Sequence, residues 1–308
     1  MFKLVARLVR ILLPLLALAA LAIALQKWTK PAALALSGRA RGCSFLQAVR
    51  SASEDERQLA IKDRLVQYSR KVQQDPAGFS LWQTPSGTYW IPTPSDFTLH
   101  WDLAEQERKI YGVGDRGVRP GDVVLDCGAN IGVFTRVALA AGAKLVVAIE
   151  PSPENLECLR RNMKSETDAG KVIIYPKGVW DKDEELVMKV DPTNSAANTF
   201  VIQRQGLVDS IRLPLTTIDK LVEELKLERV DFIKMDIEGA EPRALRGAHN
   251  TIARFHPRMA ISVYHTPTDF ETVPAAIFSA WSGYRQECGP CSLRDNRIFP
   301  TVYYYYAH

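Results

Sequence analysis

The sequence is poor in cysteine, and it contains no internal repeat and no low-complexity tract. Its 308 residues include five cysteines, Cys43, Cys127, Cys158, Cys288 and Cys291, which are too few and too scattered for a disulfide framework. Nothing in this pattern requires an oxidising compartment. The length allows one substantial α/β domain with an extension, and the apolar content of 46% is ordinary for a globular protein.

Acidic residues are absent from the first 42 positions, whereas seven of the 39 Lys and Arg residues lie there. The rest of the chain therefore carries 32 basic residues against 35 acidic ones. A basic surface for nucleic acid is not indicated, because the positive excess is confined to the N-terminal segment. We expect no nucleic acid partner.

An uncharged run, residues 11–26, has basic residues on both sides. A membrane-spanning helix needs roughly 20 predominantly apolar residues, and snorkelling of Arg7 and Arg10 extends this run to residue 4. We predict an uncleaved single-pass membrane anchor over residues 4–26. The alternative is a secretory signal cleaved near Ala24, which the same basic and apolar pattern also fits.

Three regions follow from the composition along the chain: a hydrophobic membrane segment (1–26), a linker with a helical and hairpin extension (27–112), and a main domain (113–308). The extension's apolar spacing and turn residues predict the following elements: a helix over 44–75, a hairpin of strands 80–83 and 88–91, and a helix over 98–112.

In the main domain, apolar strands alternate with helical stretches, which is typical of a parallel sheet covered by helices on both faces. The predicted strands are 123–126, 145–150, 172–175, 230–236 and 260–264. The predicted helices are 132–141, 153–164, 217–225, 241–254 and 270–281. Residues 284–287 and 301–305 are expected to pair antiparallel at one edge, and a further strand pair is expected between 184 and 216.

The first strand of this domain ends in a glycine-rich turn, in the segment VVLDCGANIG over 123–132. Gly128 and Gly132 allow the backbone to approach a ligand closely, and a helix N-terminus beginning at Gly132 offers free N–H groups to a carboxylate. The Asp126 carboxylate is suited to an ammonium group. A ligand with an amino-acid end, such as S-adenosylmethionine (SAM), matches this pair better than a pyrophosphate does.

The second strand ends at Glu150, where an acid can accept hydrogen bonds from both ribose hydroxyls of a nucleoside. A dinucleotide fingerprint would need glycine at positions 128, 130 and 133, but Asn130 and Val133 stand at two of them. The turn therefore argues against NAD.

Charged residues interrupt the fourth strand, in VDFIKMDIEGAE over 230–241. Lys234 and Asp236 would be costly in a buried strand without partners, and Asp236 and Glu238 should face the crevice at the carboxyl ends of the strands. The fifth strand brings His265 to the same edge. An Asp236-oriented imidazole near its ordinary pKa is a candidate general base for a hydroxyl, with Lys234 holding the carboxylates or stabilising an alkoxide. The alternative is a structural ion pair, and no metal is predicted.

These segments resemble the FkbM-type methyltransferase family, in the stretches VVLDCGANIGVF, AIEPSPENLECLRRN, PLTTIDKLVEEL, VDFIKMDIEGAEPRALRGA and ISVYH. The resemblance covers most of 120–268. It implies a class I Rossmann-like SAM-methyltransferase fold with a mostly parallel seven-stranded sheet, and O-methylation of a hydroxyl on a sugar, glycan or secondary metabolite. It also implies that SAM binds the following residues: Asp126, Gly128, Asn130, Gly132 and Glu150. Asp236 and His265 would flank the transferred methyl group.

Two rival functions stay open, a nicotinamide-dependent oxidoreductase and a SAM-binding module without catalysis. The segment from Cys288 to Cys291 also matches a thioredoxin-like redox motif, but Gly289 and Pro290 between two edge strands are more typical of a turn. We expect the catalytic domain to face the cytosol, because SAM is made there and its charges keep it from crossing a bilayer unaided.

Overall fold

The computed structural model describes residues 12, 14, 15, 25 and 27–307. Residues 27–36 are helical. The further α-helices are α1 (Phe45–Gln67), α2 (Leu99–Glu107), α3 (Val133–Ala140), α4 (Pro153–Asn162), α5 (Lys164–Asp168), α6 (Ile218–Glu224), α7 (Glu241–Arg246), α8 (His249–Phe255) and α9 (Asp269–Ala280). The strands are β1 (Arg70–Gln74), β2 (Phe79–Thr84), β3 (Gly87–Pro92), β4 (Val123–Cys127), β5 (Leu145–Ile149), β6 (Val172–Tyr175), β7 (Gly178–Val179), β8 (Glu184–Val190), β9 (Val208–Thr216), β10 (Phe232–Met235), β11 (Arg258–Ser262), β12 (Arg285–Cys288), β13 (Cys291–Arg294), β14 (Arg297–Pro300) and β15 (Val302–Tyr306).

A seven-stranded sheet with the order β12-β15-β11-β10-β4-β5-β6 forms the centre of the main domain. The five strands from β11 to β6 are parallel, and β15 runs antiparallel to both β11 and β12. The mostly parallel sheet and its antiparallel edge pair are therefore as predicted, with strand ends shifted by a few residues. The predicted pair above the sheet is also present, as β8 and β9.

Both faces of the central strands are buried, because neighbouring residues of one strand enter opposite cores. Leu125 packs in one core with helices α6 to α9, and Val124 packs in the other with α3 and α4. Strands covered in this way read as continuous apolar runs. The helices on both faces are thus confirmed.

Three predicted helices have different ends. The helix expected over 98–112 ends at Glu107. The helix expected over 44–75 ends at Gln67, because residues 70–74 pair with β2 instead. The helix expected over 241–254 is broken at Gly247, where an added Cβ would lie 1.9 Å from the Trp180 carbonyl oxygen. This close backbone approach requires glycine at the break.

The chain divides into two compact units: the described part of 1–57 with 290–300, and residues 58–289 with the described part of 301–308. In the first unit, Cys43 and Cys291 form a disulfide, which the spacing of the cysteines did not indicate. The Ile298 N–H donates to the Arg39 carbonyl over 2.8 Å. Cys291 begins β13 and Cys288 ends β12, so the Gly289-Pro290 pair connects two strands rather than a strand and a helix.

The predicted extension contributes to the second unit. Strands β1, β2 and β3 form an antiparallel sheet that includes the predicted hairpin. The Asn162 side chain of α4 accepts the Trp90 N–H over 2.7 Å and donates to the carbonyls of Trp90 and Ile131. These bonds fix β3 to the first turn after β4.

Among the described residues, no helix has the length and apolar content needed to cross a bilayer. Most of the predicted anchor, residues 4–26, lies outside the described residues.

Candidate active site

The turn after β4 closely approaches the end of β10. Gly128 has φ 77°, and a Cβ there would lie 1.9 Å from the Asp236 carbonyl oxygen. Only glycine satisfies both the positive φ and this contact. The N–H groups of Gly128 and Ala129 both donate to the Ile149 carbonyl at 3.0 Å, which holds the turn against β5.

Glu150 is buried at the end of β5, and its carboxylate organises this turn. It accepts the N–H groups of Asn130 at 2.9 Å and Ser152 at 3.0 Å, and the Asn155 amide at 3.3 Å. Burial raises the pKa of Glu150, and these three hydrogen bonds oppose that rise. The carboxylate therefore has most of its lone pairs occupied by the protein.

Asp126 and Gly132 do not line the crevice that Gly128, Asn130 and Glu150 line. Asp126 is fully buried, accepts the Thr135 hydroxyl at 2.6 Å and lies 3.3 Å from Lys234 Nζ. Gly132 has φ 92°, and a Cβ there would lie 2.9 Å from Leu159 Cδ1. In this geometry Asp126 contacts protein partners, and Gly132 allows α3 to pack against α4.

Lys234 is buried on β10, and its ammonium group binds the turn after β4. Nζ donates to the Gly128 carbonyl at 2.7 Å. Burial opposes the charge, but the carboxylates of Asp126 and Asp236 prevail and raise the lysine pKa. Lys234 is therefore an ammonium ion that holds the turn, and it does not line the crevice.

Asp236 and Glu238 do line the crevice, and His265 lies beside them. His265 Nε2 is 3.3 Å from Asp236 Oδ1 and 3.5 Å from Glu238 Oε1. The Tyr111 hydroxyl donates to Asp236 Oδ2 at 2.7 Å. Burial favours the neutral acid, yet His265, Lys234 and this hydrogen bond outweigh it and lower the pKa of Asp236.

Glu241, at the start of α7, completes the cluster. It is fully buried, and its Oε1 accepts the Ile237 N–H at 2.8 Å and lies 2.9 Å from His265 Nδ1. Burial lowers the pKa of His265, but Glu241 and Glu238 raise it well above the ordinary value. The expectation of an imidazole with its ordinary pKa was wrong, because carboxylates lie on both sides of the ring.

Sequence reasoning missed Tyr111, Glu241, Asn155 and Glu105 as members of the site. Glu241 stood within the conspicuous segment after β10, so its spacing from Glu238 was an available signal. Tyr111 and Asp236 are 125 positions apart, and no local pattern joins them. Glu105 lies on α2, where burial and the nearby Asp236 charge raise its pKa to about 7.

One crevice contains both groups of residues. Its walls come from the turns after β4, β5 and β10, and from the β7 to β9 region, which includes Met188, Ser195, Asn198 and Phe200. Atoms of two crevice residues, Asn130 Oδ1 and Asn155 Oδ1, are buried without a hydrogen-bond partner. These acceptors suit a ligand with hydroxyl, amino or ammonium donors.

Comparison with known proteins identifies relatives of this domain. Residues 126–289 match the Methyltransferase FkbM domain. Hexuronic acid methyltransferase AglP of Haloferax volcanii is 30% identical over 132 residues, which are 42% of this chain and 52% of that protein. The 31-O-demethyl-FK506 methyltransferase FkbM of Streptomyces tacrolimicus is 29% identical over 161 residues, 43% of this chain and 62% of that protein.

The chain thus spans a little over half the length of AglP. The crystal structure of methyltransferase FkbM from Methylobacillus flagellatus KT superposes with a TM-score of 0.45 at 22% identity, covering 83% of this chain and 59% of that one. The domain match includes more than half of the chain and contains the turn after β4, the end of β10 and His265. The chain belongs to the FkbM methyltransferase family.

Proposed function

We propose that this protein transfers a methyl group from SAM to a hydroxyl oxygen of a sugar, glycan or secondary metabolite. The observation that carries the proposal is a single crevice lined by Asn130 and Glu150 on one side and by Asp236 and Glu238 on the other. It brings a candidate nucleoside site next to a cluster of groups that can accept a proton.

The residues of the crevice fit SAM as the methyl donor. The unpartnered oxygens of Asn130 and Asn155 match its hydroxyl and amino donors, and the Glu150 carboxylate suits a ribose hydroxyl. We propose that Asp126 and Gly132 contribute to the cofactor site indirectly, by supporting the turn after β4. SAM supplies an electrophilic methyl group on a sulfonium centre.

In the proposed step, the acceptor oxygen bonds to the methyl carbon while the sulfur–carbon bond breaks and its electron pair goes to sulfur, which leaves a thioether. The hydroxyl proton passes to a carboxylate that lines the crevice, Asp236 or Glu238, and His265 lies beside both of them. Such reactions depend mainly on alignment and proton removal. Lys234 acts by fixing the turn after β4 through its bond to the Gly128 carbonyl.

The names of two relatives support the acceptor class. One is a methyltransferase of hexuronic acid and the other of 31-O-demethyl-FK506, so a sugar acid and an oxygen-bearing metabolite are represented. An acceptor hydroxyl is therefore the first class to test for this chain.

Calorimetric titration with SAM and, separately, with NADH tests the cofactor. We expect SAM to bind and NADH not to bind. Transfer of labelled methyl from SAM to a panel of hexuronic acids, glycans, phenols and an RNA oligonucleotide then tests the reaction. NADH binding without SAM binding would favour the oxidoreductase, and SAM binding without transfer to any acceptor would favour a non-catalytic module.

We also propose that residues 4–26 anchor the enzyme to a membrane with its catalytic domain in the cytosol. The apolar run with flanking basic residues supports the anchor, and the cytosolic supply of SAM supports the orientation. The Cys43–Cys291 disulfide opposes it, since such bonds persist mainly in oxidising compartments. Protease treatment of sealed vesicles, with sequencing of the mature N-terminus, tests this placement. Digestion of the catalytic domain from outside, or a mature chain that begins after Ala24, would refute it.

A further inference from the structure

Three neighbouring side chains at the crevice, of which two are buried and Asp236 is partly exposed, have polar atoms without a hydrogen bond. They are Asp236 through Oδ1, Glu241 through Oε2, and His265 through both ring nitrogens. His265 is only 3% exposed and Glu241 is fully buried. A buried polar atom without a partner is costly, so such atoms on three neighbouring side chains need an explanation.

The same three side chains are close enough to share one ligand. Each offers an oxygen or nitrogen, and these donor atoms all lie within 4.8 Å of one another. Donors that bind one divalent cation at about 2.0–2.3 Å are separated by about 3 Å when adjacent and by up to about 4.5 Å when opposite. Small rotations of the side chains would therefore bring one ligand atom from each residue into the coordination sphere of a single cation.

Ion pairing of His265 with the carboxylates accounts for only part of the arrangement. Nδ1 lies 2.9 Å from Glu241 Oε1, and Nε2 lies 3.3 Å from Asp236 Oδ1. Glu241 Oε2 is buried and has no partner in this pairing. A cation satisfies the imidazole nitrogen and both oxygens together.

We propose that Asp236, Glu241 and His265 bind one divalent cation of the Mg²⁺ or Mn²⁺ class. The two carboxylates suit such ions, and because imidazole is a ligand typical of transition metals, Mn²⁺ fits the set better than Mg²⁺. Two neighbours stabilise the set: Tyr111 donates to the other oxygen of Asp236, and the Ile237 N–H donates to the other oxygen of Glu241. Hydrogen bonds of this kind orient metal ligands.

The cation adjoins the acceptor side of the crevice, because Asp236 and Glu238 line that wall. This part of the inference rests on the proposed methyl transfer. An acceptor with two adjacent oxygens, such as a vicinal diol or a hydroxy acid, can occupy open coordination positions, and the cation lowers the pKa of the bound hydroxyl. The inference therefore narrows the acceptor to oxygen-chelating molecules.

Titration of the full-length protein with MnCl₂, followed by calorimetry and by the electron paramagnetic resonance signal of free Mn²⁺, tests the site without acceptor. We expect one Mn²⁺ per chain. Glu241→Gln retains an oxygen for the Ile237 N–H but loses the charge, so it should weaken Mn²⁺ binding by at least about 10-fold. Asp236→Asn should do the same, whereas Asp168→Asn, on the exposed surface of α5, should bind like the wild type.

Circular dichroism and a SAM titration on each preparation separate the outcomes. A folded wild-type protein that takes up no Mn²⁺ overturns the metal site, and so does unchanged binding in both Glu241→Gln and Asp236→Asn. Both of these results leave the proposed function open, because SAM binding is measured separately. Conversely, a protein that binds Mn²⁺ but not SAM supports the metal site and refutes the proposed function.

Discussion

Replacement of Glu150 by glutamine tests the proposed nucleoside site, and the hydrogen bonds of Glu150 set the expected loss of SAM affinity. An ionised carboxylate has about four lone-pair positions, and the protein uses three of them through Asn130, Ser152 and Asn155. One position is left for a ribose hydroxyl, rather than the two that the sequence suggested. A charge-assisted hydrogen bond is worth about 1.5–3 kcal/mol, so Glu150→Gln should weaken SAM binding about 10- to 150-fold.

The same change should reduce the free energy of unfolding. The NH₂ group of the new glutamine would face a backbone N–H whose hydrogen bond a carboxylate oxygen accepts in the wild type. One unpaired buried donor costs about 1–3 kcal/mol of the free energy of unfolding. Calorimetry with SAM and denaturant unfolding measure the two effects, and Glu157→Gln, on α4 and more exposed than Glu150, is the control. SAM affinity equal to that of the wild type in a folded variant would refute the role of Glu150.

Four further predictions concern separate parts of the molecule. Gly128→Ala should lower the free energy of unfolding by more than about 3 kcal/mol, because its Cβ would meet a backbone oxygen at 1.9 Å; unchanged denaturant unfolding would contradict this contact. His265→Gln should reduce kcat/KM about 10²- to 10⁴-fold with SAM affinity retained; near-normal turnover removes it from the mechanism. Glu105 has a pKa of about 7 when folded, so the wild type loses stability as pH rises from about 4.5 to 7. Glu105→Gln should abolish that loss. The variant should be more stable than the wild type at pH 8, by at most about 3 kcal/mol, and similar to it at pH 5. Parallel pH profiles of the free energy of unfolding in the two proteins would refute this prediction. Cys43→Ser should lower the free energy of unfolding by about 2–5 kcal/mol through loss of the disulfide. Thermal unfolding under oxidising conditions measures this, and an unchanged Tm would contradict it.

The order of elements in the main domain could be predicted because burial on both faces leaves a local signature. Every residue of β4 is buried, so the strand is a continuous apolar run apart from Asp126. The glycine-rich turn and the acid after β5 are also local, since they follow strand ends at fixed spacing. These features required no knowledge of distant residues.

The remaining features depend on contacts between distant segments. The backbone of Trp180 requires glycine at position 247, and Cys43 bonds to a residue 248 positions away. Asp126 resembled a ligand-binding acid from its position at a strand end, but its orientation toward Lys234 and Thr135 depends on β10 and α3. Sequence pattern identifies which residues reach the edge of the sheet, and packing decides which way they point.

Lys234 shows how the two halves of the crevice are joined. Its ammonium group contacts Asp126 and the Gly128 carbonyl beside the proposed cofactor site, and its charge also lowers the pKa of Asp236 beside the proposed acceptor site. A neutral residue here would free the turn after β4 and remove a positive charge from beside Asp236 at the same time. The buried lysine that interrupts β10 is therefore more than a partner for one acid. Because Lys234 acts on both, the position of the turn after β4 and the ionisation of Asp236 depend on the same side chain.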